Sequence, residues 1–166
     1  MSSAQRSPAA RPNTTFAIFG DGELRADLLA QAERLGVAQH LRMPGFRKDI
    51  PSILKALDLF VMPSHMEGLG TSVLDAMAAG VPVVGTEAGG MPESVIDEET
   101  GLLCPIRDGK AIAGAVLRLL NEPELAARCA ENAGAKVRAE FSTESMVSGT
   151  VAVYEDLIGA PSESAP

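Results

Sequence analysis

One stretch of the chain, residues 63–93, alternates short apolar runs with glycine-rich turns, and this pattern leaves few folds open to it. An apolar run at residues 59–62 ends at a proline and a glycine-rich loop, after which apolar residues recur at helical spacing from Thr71. Pro82 prevents that helix from continuing, and the apolar run at residues 81–84 indicates a second strand. We predict a strand, a helix and a parallel strand joined by short loops, which is a βαβ unit.

The first of these loops has the composition of an anion-binding site. Glycine lets backbone N–H groups approach a ligand, and the start of a helix offers unpaired N–H donors with the positive end of the helix dipole. Residues 68–71 combine both features after a strand whose carboxyl end should face the ligand crevice of an open α/β sheet. Glu67 and Asp75 flank the loop. Because a carboxylate repels phosphate but accepts hydrogen bonds from hydroxyl groups, we expect a diphosphate flanked by sugar hydroxyls, as in a nucleotide sugar.

The same stretch resembles the donor-binding C-terminal domain of the retaining GT-B glycosyltransferases, specifically glycosyltransferase family 4, also called group 1. The signature of that family is a pair of acidic residues separated by seven others, and Glu67 and Asp75 stand at these positions. The second acid is most often Glu in the family, so Asp75 is a departure that shortens the side chain by one methylene. Further matching motifs follow one another along the chain: Phe19-Gly20-Asp21-Gly22, Pro44-Gly45-Phe46, Pro63-Ser64, Pro82-Val83-Val84, Gly89-Gly90 and Thr100-Gly101-Leu102-Leu103.

The resemblance implies an α/β fold: a Rossmann-like open parallel sheet flanked by helices, the C-terminal half of a GT-B fold, with the first strand of that half missing. It also implies transfer of a hexosyl group, with retention, from a UDP-, GDP- or ADP-sugar to an acceptor hydroxyl, without a metal or another cofactor. Glu67 would be the catalytic residue, facing the donor sugar near the reacting carbon, and Asp75 would bind the ribose. The other donor-binding residues would be Gly68, Leu69, Gly70 and Thr71 at the diphosphate and Phe46 and Arg47 at the base.

Each of these residues also has a purely structural interpretation. Glu67 could cap the helix that begins at Thr71, Thr71 could be only an N-cap, and Asp75 could simply face solvent. Phe46 could fill the edge of the core, with Arg47 and its neighbouring lysine as a solvated charge pair.

Two features of the family are not found in this sequence. The acceptor-binding half is a separate N-terminal domain, for which the chain has no room, and the first strand of the donor half carries an Arg and a Lys that neutralise the diphosphate. Electrostatic stabilisation often contributes more to catalysis than any other effect, so we expect little or no turnover by this chain alone. A non-catalytic nucleotide-binding or assembly module and a fragment of a GT-B-like sugar-nucleotide epimerase are the alternatives. A missing first strand also exposes a sheet edge, which favours a homodimer.

Length and composition narrow the class of protein. The 166 residues are enough for one domain with a core, and the net charge of -8 argues against a nucleic-acid partner. No apolar run reaches the roughly 20 residues that a membrane span requires. Cys104 and Cys129 fit no metal-site spacing. We expect a cytoplasmic protein that reaches the inner membrane only through the absent acceptor domain.

The chain is predicted to consist of a leader, one domain and a tail. Residues 1–13 indicate a disordered leader, residues 14–158 a nucleotide-sugar-binding Rossmann-like domain, and residues 159–166 a frayed tail. The apolar run at residues 14–19 predicts a buried parallel strand, and a helix over residues 23–35 follows it. Asp21, in the turn between them, either contacts ligand or only shapes the turn.

Three side chains are predicted to cap helices. Asp49 precedes a helix over residues 50–57, and Asp108 precedes one over residues 110–120. A helix over residues 124–140 follows, and Ser142 or Thr143 should cap the last one, which runs to about residue 158.

Overall fold

The computed structural model describes residues 13–159, so the predicted leader, apart from Asn13, and the tail after Gly159 lie outside the described residues. Strands and helices alternate along most of this length, and two helices end it. The elements are β1 (Phe16–Phe19), α1 (Arg25–Arg34), β2 (Leu41–Gly45), α2 (Ile50–Leu54), β3 (Phe60–Met62), α3 (Thr71–Ala78), β4 (Val83–Thr86), α4 (Met91–Ser94), β5 (Leu102–Cys104), α5 (Gly109–Asn121), α6 (Pro123–Glu140) and α7 (Thr143–Gly159), with a 3-10 turn at Ala38–His40.

All the strand pairs are parallel, but they form two sheets. β1 pairs with β2, and β3, β4 and β5 form a three-stranded sheet in that order. The usual doubly wound order, 3-2-1-4-5-6, explains the division. In that order, β2-β1 match positions 3-2 and β3-β4-β5 match positions 4-5-6, and none of the described residues forms a strand at position 1. The α/β Rossmann-like class predicted from the sequence is confirmed, although the single sheet is divided.

Strand β1 is not the buried strand that its apolar sequence predicts. The side chains of Phe16 and Ile18 are 37% and 40% exposed. The reason is that β1 has only one neighbouring strand, β2, within the described part of the chain. Strand β4, by contrast, lies between two strands and is buried at every position.

Helix α3 is held in the fold by the apolar side chains of one of its faces. Val73, Ala76 and Met77 are buried and pack in one cluster with Val83 of β4 and with Ala133 of α6. This face follows the helical spacing seen in the sequence. The opposite face, which includes Thr71 and Asp75, is left to solvent.

A second apolar cluster lies between the sheet and helices α5 and α6. It contains Val84, Leu102, Val116, Leu119 and both cysteines. Burial raises the pKa of the Cys104 and Cys129 thiols above the ordinary value, so both are apolar packing groups rather than thiolates.

Two of the three predicted N-caps are confirmed. The Asp108 carboxylate accepts hydrogen bonds from the backbone N–H groups of Lys110 and Ala111, both at 2.9 Å. Ser142 Oγ accepts from the Ser145 N–H at 3.1 Å.

Asp49 occupies the N-cap position of α2 but does not cap it. Its carboxylate is bound instead by Arg47, whose Nε and Nη2 donate at 2.7 Å and 2.5 Å. These hydrogen bonds lower the pKa of Asp49. A charged partner two residues away competes successfully with the helix amides for the same oxygens.

Helix α7 is exposed at most of its positions. Apolar side chains that are 46% to 83% exposed lie on it: Met146, Val147, Val151, Val153, Tyr154, Leu157 and Ile158. Across residues 13–159, no helix combines the length and the low polarity needed to cross a bilayer.

Candidate functional site

The start of helix α3 offers backbone N–H groups that the described part of the chain does not use. Gly70 precedes the helix with φ 68°, a left-handed conformation that favours glycine. The first two amides with a helical acceptor are those of Val73 and Leu74, which donate to Gly70 O at 2.8 Å and 3.2 Å. The N–H groups of Thr71 and Ser72 therefore have no acceptor among residues 13–159. An exposed helix start with free donors is suited to an anion.

The Glu67 carboxylate lies beside this helix start and is already oriented by hydrogen bonds. Ser64 Oγ donates to Glu67 Oε2 at 3.1 Å, and the Gly68 N–H donates to Oε1 at 3.2 Å. Ser64 is itself fixed, because the hydroxyl of Thr86, which is fully buried on β4, donates to its carbonyl oxygen. Glu67 thus does not cap α3, which was the structural alternative for it, and its half-buried carboxylate is held at the loop.

The two glycine-rich turns meet backbone to backbone. The Gly90 N–H donates to Gly68 O at 3.1 Å. A Cβ at Gly89 would lie 1.8 Å from Glu67 O, and one at Gly90 would lie 2.3 Å from Gly68 O. Only glycine permits this approach, so the second turn supports the loop that carries Glu67. Both turns follow the carboxyl ends of paired parallel strands, β3 and β4, and therefore lie at one edge of the sheet.

Asp75 lies on the exposed side of α3. It follows Thr71 by four residues, which places the two side chains on neighbouring turns of one helix face. Within the described chain, its carboxylate has no hydrogen-bond or ion-pair partner. Asp75 is therefore available to a ligand on the helix face that begins at Thr71.

Phe46 and Arg47 lie at the carboxyl end of the other sheet, directly after β2. Phe46 is 66% exposed, so it does not fill the edge of the core. Arg47 forms an ion pair with Asp49, and its side chain is still 47% exposed. Both side chains remain accessible to a ligand.

The site lies on an open surface. Two shallow depressions lie along α6 instead, one of about 320 Å³ beside the end of α5 and one of about 400 Å³ beside residues 96–100, and none of the predicted site residues lines them. Within residues 13–159, no group of three or more His, Cys, Asp or Glu side chains could hold a metal ion.

Two supporting residues were not identified as such from the sequence. Ser64 belongs to the Pro63-Ser64 motif, but its contact with Glu67 has no signal of its own in the sequence. Thr86 is the one polar side chain of β4, and a polar residue at the carboxyl end of an otherwise apolar buried strand indicates a specific hydrogen-bond partner.

Comparison with known proteins gives a consistent group of relatives. The lipopolysaccharide core biosynthesis mannosyltransferase LpsB of Rhizobium meliloti is 38% identical over 136 residues, which are 80% of this chain and 38% of that protein. The glycogen synthase of Mycobacterium tuberculosis is 34% identical over 145 residues, which are 86% of this chain and 35% of the relative. The chain thus spans well under half the length of these relatives.

Comparison with solved structures points to the same group of proteins as the sequence relatives. HepE of Anabaena, determined in complex with UDP, has a TM-score of 0.79 at 28% identity, over 86% of this chain and 42% of that one. The C-terminal domain of LpcC, a group 1 glycosyl transferase family protein of Francisella tularensis, has a TM-score of 0.76 at 28% identity, over 84% of this chain and 76% of that domain. The sequence also matches the family described as glycosyl transferases group 1 over residues 1–136. With the glycine-supported loop, the free helix start and the parallel α/β architecture, these matches place the chain among the group 1 glycosyl transferases, and it belongs to that family.

Proposed function

We propose that this chain binds the nucleoside diphosphate sugar donor of a retaining glycosyltransferase. The start of α3, with Gly68, Leu69, Gly70 and Thr71, holds the diphosphate, and Asp75 accepts a hydrogen bond from the ribose. Phe46 and Arg47 lie against the base, and Glu67 faces the donor sugar. The proposed location is the cytoplasm, with any contact to the inner membrane made by the acceptor domain.

One observation carries this proposal: the unused N–H groups of Thr71 and Ser72 lie next to the oriented carboxylate of Glu67. Free amides at a helix start favour a negatively charged group, whereas a carboxylate favours hydroxyl groups. A nucleotide sugar is a ligand that satisfies both in adjacent positions. The structure of HepE with bound UDP supports this assignment, because the two folds superimpose and that protein binds a nucleoside diphosphate.

In the proposed reaction, the acceptor oxygen forms a bond to the anomeric carbon of a hexose while the bond from that carbon to the diphosphate oxygen breaks. The acceptor's proton leaves with the nucleoside diphosphate, and the configuration is retained. The chain contributes by fixing the donor in attack geometry and by placing helix amides at the diphosphate, where negative charge develops. No metal or other cofactor is part of the proposal, and the base can be that of a UDP-, GDP- or ADP-sugar.

In this proposal, sugar transfer requires other parts of a longer protein in addition to this chain. Because the chain covers 35% to 38% of the two relatives described above, the acceptor side and further diphosphate contacts belong to the rest of such a protein. We therefore propose that the chain alone binds donor but transfers sugar poorly or not at all.

Titration calorimetry with UDP, GDP and ADP tests the donor site. Thr71→Pro removes one free N–H at the first helical position, where proline is well tolerated, and should weaken nucleoside diphosphate binding about tenfold. Gly109→Pro makes the equivalent change at the first residue of α5 and should leave affinity unchanged. If no diphosphate binds, or if both variants behave alike, the proposed site is wrong.

The non-catalytic alternative is tested in a longer protein that contains this chain and transfers sugar. Glu67→Gln should remove most of the transfer while donor binding stays within about threefold, because the amide keeps the shape and loses the charge. Unchanged transfer would assign the chain to a nucleotide-binding or assembly module.

A further inference from the structure

The segment from the end of β1 to the first residue of α1 is tied to the end of β2 and the residue after it by three hydrogen bonds. The Gly20 N–H donates to Gly45 O at 2.9 Å, and the Phe46 N–H donates to Asp21 Oδ2 at 3.0 Å. Arg25, at the start of α1, donates from Nη2 to Met43 O at 2.6 Å. The loop that presents Phe46 is thus held by a segment about 25 residues earlier in the chain.

The Asp21 carboxylate and Gly45 fit closely. Gly45 has φ 81°, and a Cβ on it would lie 2.9 Å from Asp21 Oδ1. Glycine is therefore favoured at Gly45 by its backbone conformation, and a Cβ there would displace the Asp21 carboxylate. No Lys or Arg of the described chain forms an ion pair with Asp21, so its hydrogen bond to the Phe46 amide is its specific contact.

This contact decides what Phe46 can present to a ligand. Its N–H is used by Asp21, which leaves the exposed ring and the carbonyl oxygen. The next residue, Arg47, is held from the other side by the two hydrogen bonds to Asp49. Asp21 thus fixes the backbone at Phe46, and Asp49 orients the side chain of Arg47.

We propose that Asp21 is a positioning residue for the base of the bound nucleotide. By accepting the Phe46 N–H, it fixes the backbone of the loop from which the ring of Phe46 reaches the base, while it makes no contact with the diphosphate or the sugar. A planar ring held in a fixed position gains stacking free energy without first having to be ordered. This inference rests on the proposed function, and it assigns base recognition to the β2 sheet and diphosphate recognition to α3.

The test compares a ligand with a base and the same ligand without one. The intact chain is titrated with the diphosphate among UDP, GDP and ADP that it binds most tightly, and with ribose 5-diphosphate. Asp21→Ala should weaken nucleoside diphosphate binding about 5- to 10-fold, as expected for one lost hydrogen bond, and change ribose diphosphate binding less than about 2-fold. Asp21→Asn keeps an oxygen acceptor and should stay within about 3-fold of the natural chain for both ligands.

Two further variants make the result specific. Phe46→Ala should reproduce the selective loss seen with Asp21→Ala, because it removes the ring that Asp21 positions. Asp27→Ala, an exposed aspartate on α1, is the matched control and should change neither affinity. Thermal unfolding by circular dichroism checks that each variant is folded. If Asp21→Ala does not fold, Asp21→Ser replaces it, because the shorter side chain withdraws the acceptor from the Phe46 N–H and should give the same selective loss.

The outcomes separate the two proposals. If the natural chain binds no nucleoside diphosphate, the proposed function is wrong, and the role of Asp21 falls with it. The other outcome is that the natural chain binds a nucleoside diphosphate while Asp21→Ala and Phe46→Ala weaken the binding of both ligands equally, or of neither ligand. In that case the donor site stands and the assignment of Asp21 is overturned.

Discussion

At Gly89, the absence of one methyl group lets two loops of the site come into contact. The position has φ 53°, and a Cβ built there would lie 1.8 Å from the carbonyl oxygen of Glu67. No side-chain rotation relieves such a contact, because both partners are backbone. The conformation of the loop that carries Glu67 thus depends on a residue 22 positions later in the chain.

We expect Gly89→Ala to lower the free energy of unfolding by about 2 kcal/mol or more, since it combines an unfavourable φ with a backbone clash. Chemical denaturation measures the effect. The matched control is Gly114→Ala on α5, where a Cβ meets nothing within 4 Å. That change should stabilise the protein by about 0.5 to 1 kcal/mol, because alanine is the better helix former. Equal effects at the two sites would contradict the clash.

At the scale of the elements, α3 connects the site to the core. Its buried face packs against β4 and α6, and its exposed face carries Thr71 and Asp75. Helix α6 approaches closely at Gly134, where a Cβ would lie 3.5 Å from Met77 O. The free amides at the start of α3 keep their direction because the rest of the helix cannot move without opening the core.

Met77→Ala should therefore destabilise the protein by about 3 kcal/mol, through lost burial and the cavity that remains. Met146→Ala, on the exposed helix α7, is the control and should change the free energy of unfolding by less than about 0.5 kcal/mol. The side chains of Met77 and Met146 are 0% and 65% exposed. Urea titration of both variants tests the difference, and a similar loss at both would show that α7 is packed in solution.

At the scale of the whole molecule, the two sheets leave strand edges without partners. β1 has β2 on one side only, and β3 has β4 on one side only, among the strands of the described region. Both edges carry backbone donors and acceptors that a further strand can use. The apolar side chains of β1 are partly exposed at the same place.

We expect the chain to form a homodimer through the exposed edge of β1. Size-exclusion chromatography with light scattering measures the oligomeric state. Ile18→Lys places a charge on β1 and should shift the chain to a monomer, because charged side chains on edge strands oppose pairing. Leu29→Lys, on α1 with 39% exposure, serves as the control and should leave the dimer intact. A monomer for the natural chain at all concentrations would contradict the prediction.

Local chemistry along the chain was enough to specify the individual elements and the loop that they carry. The helix predicted over residues 110–120 is α5 (Gly109–Asn121), and Asp108 caps it as predicted, because helical spacing and capping depend on residues within a few positions of one another. The Gly68–Thr71 loop and the start of α3 follow from the same short-range signals.

The choice of partners among distant groups was settled only when the chain folded. The apolar sequence of β1 predicts burial, yet burial depends on a neighbouring strand that none of the described residues supplies. Asp21 binds the Phe46 amide across 25 positions of sequence, and the Thr86 hydroxyl donates to the Ser64 carbonyl oxygen across 22. These contacts depend on which acceptor is nearest once the strands have paired, and no local pattern in the sequence carries that information.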